Sequence, residues 1–232
     1  MIRVTTKFWK WGFLAGLAML AIAGCASEPL ERELGPEETY DGLREVTNAR
    51  VGKAWIRPDL DLTGYNRILP IAAGVEYSPA AAGSRNRTSG RSGFPVSAET
   101  REKFQALVSE VFRDELSKSE RFQLTTEPGP DVLVVIGGLI NVVSNVPPEP
   151  AGRGNVYLTR VGEATLVLEL RDSESNAVLA RVVDRRAAEK RTGTNWSNSV
   201  SNAADVRRLV RFWASRLREA LDAVPSLTAA DD

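Results

Sequence analysis

Apolar residues along this chain repeat with two periods. Between about Ser97 and Leu116, the residues Phe104, Leu107, Val108, Val111, Phe112 and Leu116 recur at steps of three and four, with charges between them. That spacing predicts a helix laying one apolar stripe on a core. A second stripe, Val206, Leu209, Val210, Trp213, Leu217, Leu221 and Val224, predicts a helix from about Ala203 to Val224. Ser201 or Asn202 can cap it, Asp205 suits its first turn and Pro225 should stop it. Trp213 falls mid-stripe and is expected to be buried.

Other stretches repeat with the strand period. Arg67-Ile68-Leu69-Pro70-Ile71 reads as a strand continuing to Tyr77, with Pro70 at an edge or bulge. Phe122 and Leu124 alternate with polar neighbours, and Pro128-Gly129-Pro130 then breaks the chain. The run Val132 to Ile136 barely alternates, as in a strand buried on both faces. It continues to Val143 through Gly137-Gly138, where a bulge or a close backbone approach is expected; the pair lacks the spacing and following helix of a phosphate loop. Ala164, Leu166, Leu168 and Leu170 alternate with Glu163, Thr165, Val167 and Glu169, and Asp172 to Asn176 then turns the chain into Val178 to Val183. This is the clearest hairpin. Residues 78–95, rich in Ala, Gly, Ser, Pro and Arg, read as a mobile surface loop. The order implies an α+β fold: a two-layer sandwich with a mixed, mostly antiparallel sheet of about five strands and two amphipathic helices on one face.

The first 25 residues follow neither pattern. Arg3, Lys7 and Lys10 precede an apolar run from Trp11 to Ala23 that closes on Ile22-Ala23-Gly24-Cys25. A basic start, an apolar segment too short to span a bilayer and small residues at the cut are the parts of an export signal. The end of this segment resembles the lipobox of bacterial lipoproteins, with Ile22 where Leu is usual. The resemblance implies cleavage before Cys25 and lipid on its sulfur, with acylation of the new amine adding the second anchor that stable attachment needs. The same resemblance implies the outer membrane, because Ala26 stands where an Asp would signal inner-membrane retention. Cys25 is the only cysteine, so it has no disulfide partner in the chain.

Organisation follows: signal peptide over 1–24, lipidated Cys25 and a flexible tether over 25–53, one periplasmic domain over 54–225, and a disordered tail over 226–232. The tether reading rests on seven acidic residues among Gly and Pro breaks with little periodicity. Tyr40-Asp41-Gly42-Leu43 stands out there as an alternative partner-docking segment, because its apolar groups sit in a polar stretch.

Charge and composition narrow the chemistry. The chain has 30 basic and 30 acidic residues, so there is no general attraction for nucleic acid, and no partner of that kind is expected. It has no histidine, which excludes Ser-His-Asp and Cys-His catalysis and His-ligated zinc. Neither a metal nor a cofactor is expected. Glu163 and Glu169 share a strand face but sit roughly 20 Å apart, too far for a glycosidase pair. Asp59 and Asp61 supply too few oxygens for a calcium site by themselves. What remains is a basic stretch, Arg181, Arg185, Arg186, Lys190 and Arg191, followed by Trp196. Arg and Trp are enriched at binding hot spots, so Arg185, Arg186, Arg191 and Trp196 are the candidate surface. The competing reading is a charged edge strand.

Tyr65 to Pro70, Pro130-Asp131-Val132-Leu133, Leu168-Glu169-Leu170-Arg171-Asp172 with Val178-Leu179-Ala180, and the closing Trp213 helix together resemble a family of bacterial lipoproteins classed as a domain of unknown function. The resemblance covers most of residues 40 to 224. It departs at the hairpin turn, where the family often has Thr-Gly and this chain has Ser175-Asn176; Asn still tolerates the left-handed conformation. No activity comes with it. The function expected is therefore a non-enzymatic, outer-membrane-anchored, periplasm-facing accessory protein that binds an envelope protein or the cell-wall polymer. The alternatives are a small-ligand or lipid carrier with a pocket between helices and sheet and, last, a His-independent enzyme.

Overall fold

The computed structural model describes residues 33–79, 93–147, 157–190, 195–196 and 198–228. In chain order they form β1 (Leu34–Glu38), β2 (Arg44–Val46), β3 (Lys53–Ile56), β4 (Arg67–Tyr77), α1 (Ala98–Leu116), β5 (Gln123–Leu124), β6 (Val132–Ser144), β7 (Tyr157–Leu158), β8 (Arg160–Asp172), β9 (Val178–Glu189), β10 (Asn195–Trp196) and α2 (Ser199–Thr228). The export signal, Cys25, the loop at 80–92, Arg191 and the tail after Thr228 lie outside the described residues.

Eight strands make one sheet in the order β1-β2-β3-β9-β8-β6-β4-β5, and β7 pairs with β10 in a separate ribbon. Only the β4–β5 and β4–β6 pairings are parallel. The fold is thus α+β with two helices and a mixed, mostly antiparallel sheet, as the residue patterns imply. The sheet is larger than the five strands expected. The three additional strands are β1 to β3; β1, β2 and Lys53 at the start of β3 lie in the stretch 25–53 read as tether, so the sheet begins at Leu34 and not at residue 54. They escape notice because strands of three to five residues are too short to show a period, and acidic side chains with Gly and Pro mask them. Their order comes from ladder pairing on β9 through β3, and from Arg44 Nε donating to the Gly35 carbonyl at 2.8 Å.

A parallel pair needs a crossover, and α1 lies on the connection that leaves β4. Ser97 caps α1, its Oγ accepting from the Thr100 N–H at 3.2 Å. The cap of α2 is Asn198, whose Oδ1 accepts from the Ser201 N–H at 2.8 Å, so the helix starts before either residue expected to cap it. Pro225 does not stop α2. It lies in the last helical turn, where a missing N–H forfeits only one bond and three further residues stay helical.

Facing residues in a ladder point the same way, so the register defines the two sheet faces. One carries Ile68, Leu133, Val135, Leu139, Leu166 and Leu168, packed with Leu116 of α1 and with Trp213 and Leu221 of α2. On the other face of β6, Val134, Ile136 and Ile140 are only half-buried, so this strand is not enclosed on both sides as its continuous apolar run suggests. The Gly137-Gly138 pair stands where β4 bulges: Ala72 faces Gly137 and Gly74 faces Gly138, leaving Ala73 as the extra residue, with Gly74 at φ 107°. In the β8–β9 hairpin Asn176 holds φ 57°, and Asp172 Oδ1 accepts from the Ser175 N–H at 2.7 Å. The left-handed turn survives without glycine.

Candidate functional site

The structure disperses the basic stretch. Neighbouring residues on β9 point to opposite faces, so Arg185 and Arg186 cannot form one patch. Arg185 is 62% exposed in its side chain and pairs with Glu163 at 2.6 Å. Arg186 turns toward α2, donating to Asp184 Oδ2 at 2.6 Å with its guanidinium 4.3 Å from the Phe212 ring centre. Arg181 pairs with Glu169 and Asp41. Lys190 is buried and clamps the end of β9 to the start of α2, reaching Ser201 Oγ at 3.0 Å, Asn202 Oδ1 at 2.8 Å and Asp205 Oδ2 at 2.9 Å. Asp205 therefore serves this clamp and not the first turn of the helix. Burial would raise its pKa, but hydrogen bonds from Lys190 and Arg208 outweigh that and hold it below the ordinary value. Trp196 contributes backbone pairing with Tyr157 in β10, and its side chain, like Arg191, lies outside the described residues.

What the register does assemble is a row across the sheet face opposite the core. Trp55, Arg181, Glu169, Ile136 and Ile71 stand opposite one another on β3, β9, β8, β6 and β4. Leu69, Val134, Val167 and Val183 flank that row on the same face. The charges in its middle are consumed by their neighbours: Glu169 accepts from Arg181 Nε at 2.8 Å and Arg171 Nε at 3.0 Å. Burial opposes ionisation of Glu169, yet the two guanidiniums keep its pKa lowered. Ile71 is 43% exposed.

The Tyr40 segment is a rigid turn. Thr39 Oγ1 donates to Asp41 Oδ1 at 2.6 Å and accepts from the Leu43 N–H at 2.9 Å, while Gly42 adopts φ 79°. Leu43 is fully buried and Asp41 pairs with Arg181 at 2.6 Å, so Tyr40, 96% exposed, projects from a fixed base.

Sequence reasoning missed Asp184. It is 3% exposed at the core face of β9, opposite Leu166. Its Oδ2 accepts from Trp213 Nε1 at 2.7 Å and from Arg186, and its Oδ1 accepts from the Gly52 N–H at 2.9 Å. One carboxylate ties α2, β9 and the approach to β3 together. The signal was present: Ala180, Val182 and Asp184 alternate inward, and a buried Trp needs an acceptor for its N–H.

A second feature is an apolar cleft of about 120 Å³ between α1 and the sheet. Val108 and Phe112 form its helix side, Val135 and Leu139 its floor. Its room comes from Ala72, Gly74 and Gly137, which place no bulky side chain there.

The remaining chemical candidates are structural. Glu163 and Glu169 each face an arginine, and Asp61 Oδ1 accepts from the Thr63 N–H at 2.8 Å. Asp131 pairs with Arg67. Tyr65 donates to Asp172 Oδ2 at 2.8 Å; burial first, then this carboxylate, pushes the phenol up to about 12. Among the described residues no three carboxylates or thiols group as metal ligands. No described helix is long and apolar enough to cross a membrane.

Three solved structures are similar to this chain at low identity. A PelC dodecamer variant from Paraburkholderia phytofirmans matches at 11% identity, covering 71% of this chain and 95% of that one, with a TM-score of 0.34. A Xanthomonas campestris protein placed in family DUF330 matches at 13%, covering 75% and 94%, with a TM-score of 0.39. A hypothetical protein from Chlamydia trachomatis matches at 13%, covering 68% and 99%, with a TM-score of 0.37. Likeness at this level carries no functional argument. No curated protein matches the sequence. A family model does match, over residues 33–217, which takes in the chain from β1 to the Trp213 helix and includes each strand and both helices up to Leu217. The chain therefore belongs to the family described as Protein of unknown function (DUF3313).

Proposed function

We propose that this chain is a non-enzymatic envelope lipoprotein, anchored in the outer membrane through lipid on Cys25, whose two-layer α+β domain binds another envelope protein in the periplasm. The observation that carries this reading is the sheet face opposite the core. It presents a row ending at exposed Ile71 and flanked by Leu69, Val134, Val167 and Val183, and the charges in the middle of that row are already neutralised by one another. A partner need not desolvate unpaired charge there, which favours an apolar protein surface over a hydroxyl-rich polymer. Arg185 lies on that face and supplies an exposed charge at its rim. Arg191 and Trp196 enter the proposal as the continuation of the same stretch, while Arg186 turns to the core face, to Asp184 and Phe212, and takes no part in this surface. Catalysis is placed last because the acids and bases described above are engaged in structural pairs.

Crosslinking in intact cells tests this. A photo-crosslinking residue at position 69, on the same face, should capture a discrete partner with the lipidated protein, and adding Ile71→Lys with Arg185→Ser to that protein should abolish the capture. Surface changes of this kind cost only about 0.5 kcal/mol each, so the melting temperature should hold. Unchanged capture would remove the proposal. Cys25→Ser should end labelling by a palmitate analogue and release the protein from the membrane fraction; retained label would refute the anchor.

The second reading, a small-ligand carrier, is favoured by the cleft between α1 and the sheet.

A further inference from the structure

The cleft has one charged residue in its lining. That residue is Arg113, exposed on α1, and among the described residues its side chain has neither an ion pair nor a hydrogen bond. The other basic side chains of α1 are occupied: Lys103 pairs with Glu99 at 2.6 Å, and Arg101 lies 4.7 Å from the Tyr77 ring centre. No carboxylate lines the cleft. Gln105 and Ser109 are its other polar side chains, both exposed.

The apolar part has a defined size. The cavity holds about 120 Å³, against roughly 150 Å³ for an engineered apolar cavity that accepts benzene. It can therefore take about six carbon atoms and no second acyl chain. Leu168 packs over Gly137, where a Cβ would come within 2.9 Å of Leu168 Cδ2, so Leu168 and the glycine backbone together form part of the floor.

We propose that this cleft binds a medium-chain fatty carboxylate, its terminal carbons on the floor between α1 and β6 and its carboxylate paired with Arg113. The inference rests on the carrier reading of the cleft and names its ligand. A guanidinium binds a carboxylate through two parallel charge-assisted hydrogen bonds, which gives the anion a clear advantage over an alcohol of the same length. The length follows from the cavity: about six carbons inside and the carboxyl carbon at the mouth.

Titration calorimetry on the purified protein, below micelle-forming concentrations, separates the two levels. Octanoate should bind at one site about tenfold more tightly than 1-octanol, a difference matching one charge-assisted contact. Arg113→Gln should erase that advantage and leave 1-octanol unchanged. Ser109→Trp, a change at an exposed helix position, should block both. Failure of octanoate and 1-octanol alike would overturn the carrier reading together with the inference. Equal binding of the two, or no effect of Arg113→Gln, would overturn the carboxylate assignment and leave the cleft a site for neutral apolar groups. N-acetyl-leucine binding more tightly than octanoate would make the occupant a peptide C-terminus and equally refute the fatty chain.

Discussion

Replacing Trp213 by Phe isolates the bond that joins the last helix to the sheet. Trp213 is 3% exposed, and its Nε1–H donates to the buried Asp184 carboxylate at 2.7 Å. Phe keeps most of the apolar volume and removes the donor. A hydrogen bond to a charged group contributes about 1.5–3 kcal/mol, and Asp184 keeps Arg186 and Gly52 as partners, so the loss should stay in that range. For a domain of this size each kcal/mol shifts the melting temperature by about 2–4 °C, predicting a fall of roughly 3–12 °C. Trp213→Ala also opens a cavity and should cost about 3–5 kcal/mol, a large share of a stability of about 5–15 kcal/mol. Asp184→Ala should cost a similar amount, because it leaves the indole and the Gly52 N–H unpaired and Arg186 without its counter-charge. Urea unfolding followed by circular dichroism avoids the fluorescence change of losing the indole. A double-mutant cycle of Trp213→Phe with Asp184→Ala should show coupling of about 0.5–3 kcal/mol. Additive losses, or a Phe variant melting with the wild type, would refute the claim that this carboxylate holds the helix.

Gly52→Ala should destabilise the protein and loosen β3, since a Cβ there would lie 2.6 Å from the Val183 carbonyl and 2.9 Å from Asp184 Oδ1; wild-type protection of β3 amides would count against it. Asp41 is held below its ordinary 3.8 by the Thr39 hydroxyl and then Arg181, and Glu169 below 4.5 by Arg171 and Arg181 against burial. Depressed folded values mean that their stabilisation is complete above those ordinary values and is lost as pH falls through the lower folded ones. Hydrogen exchange at Thr39 to Leu43 should therefore rise in acid before the core opens, and Arg181→Ala should show the same release at neutral pH. Tyr65 runs the opposite way: its folded value is raised to about 12, so the contribution of its bond to Asp172 is complete below 10 and lost through about 12. Ultraviolet titration should resolve a late phenol that Tyr65→Phe removes, and its persistence in that variant would reassign it.

Long, periodic elements are legible in the residue pattern alone. Both amphipathic helices, the apolar run through Gly137-Gly138 and the β8–β9 hairpin with its left-handed Asn176 could be read directly, because periodic burial on one face leaves its mark on composition residue by residue. Tertiary structure decided whatever depends on partners distant along the chain. Strands β1 to β3 are too short to show a period, and pairing with β9 makes them strands. Asp184 looks like one more charge in a polar stretch until register places it opposite Leu166 and beside Trp213, 29 residues away. Arg185 and Arg186 are neighbours in sequence and belong to opposite faces, because the pleat separates them. The row from Trp55 to Ile71 and the cleft above Gly137 come from five strands and one helix brought side by side, so no single segment carried their signature.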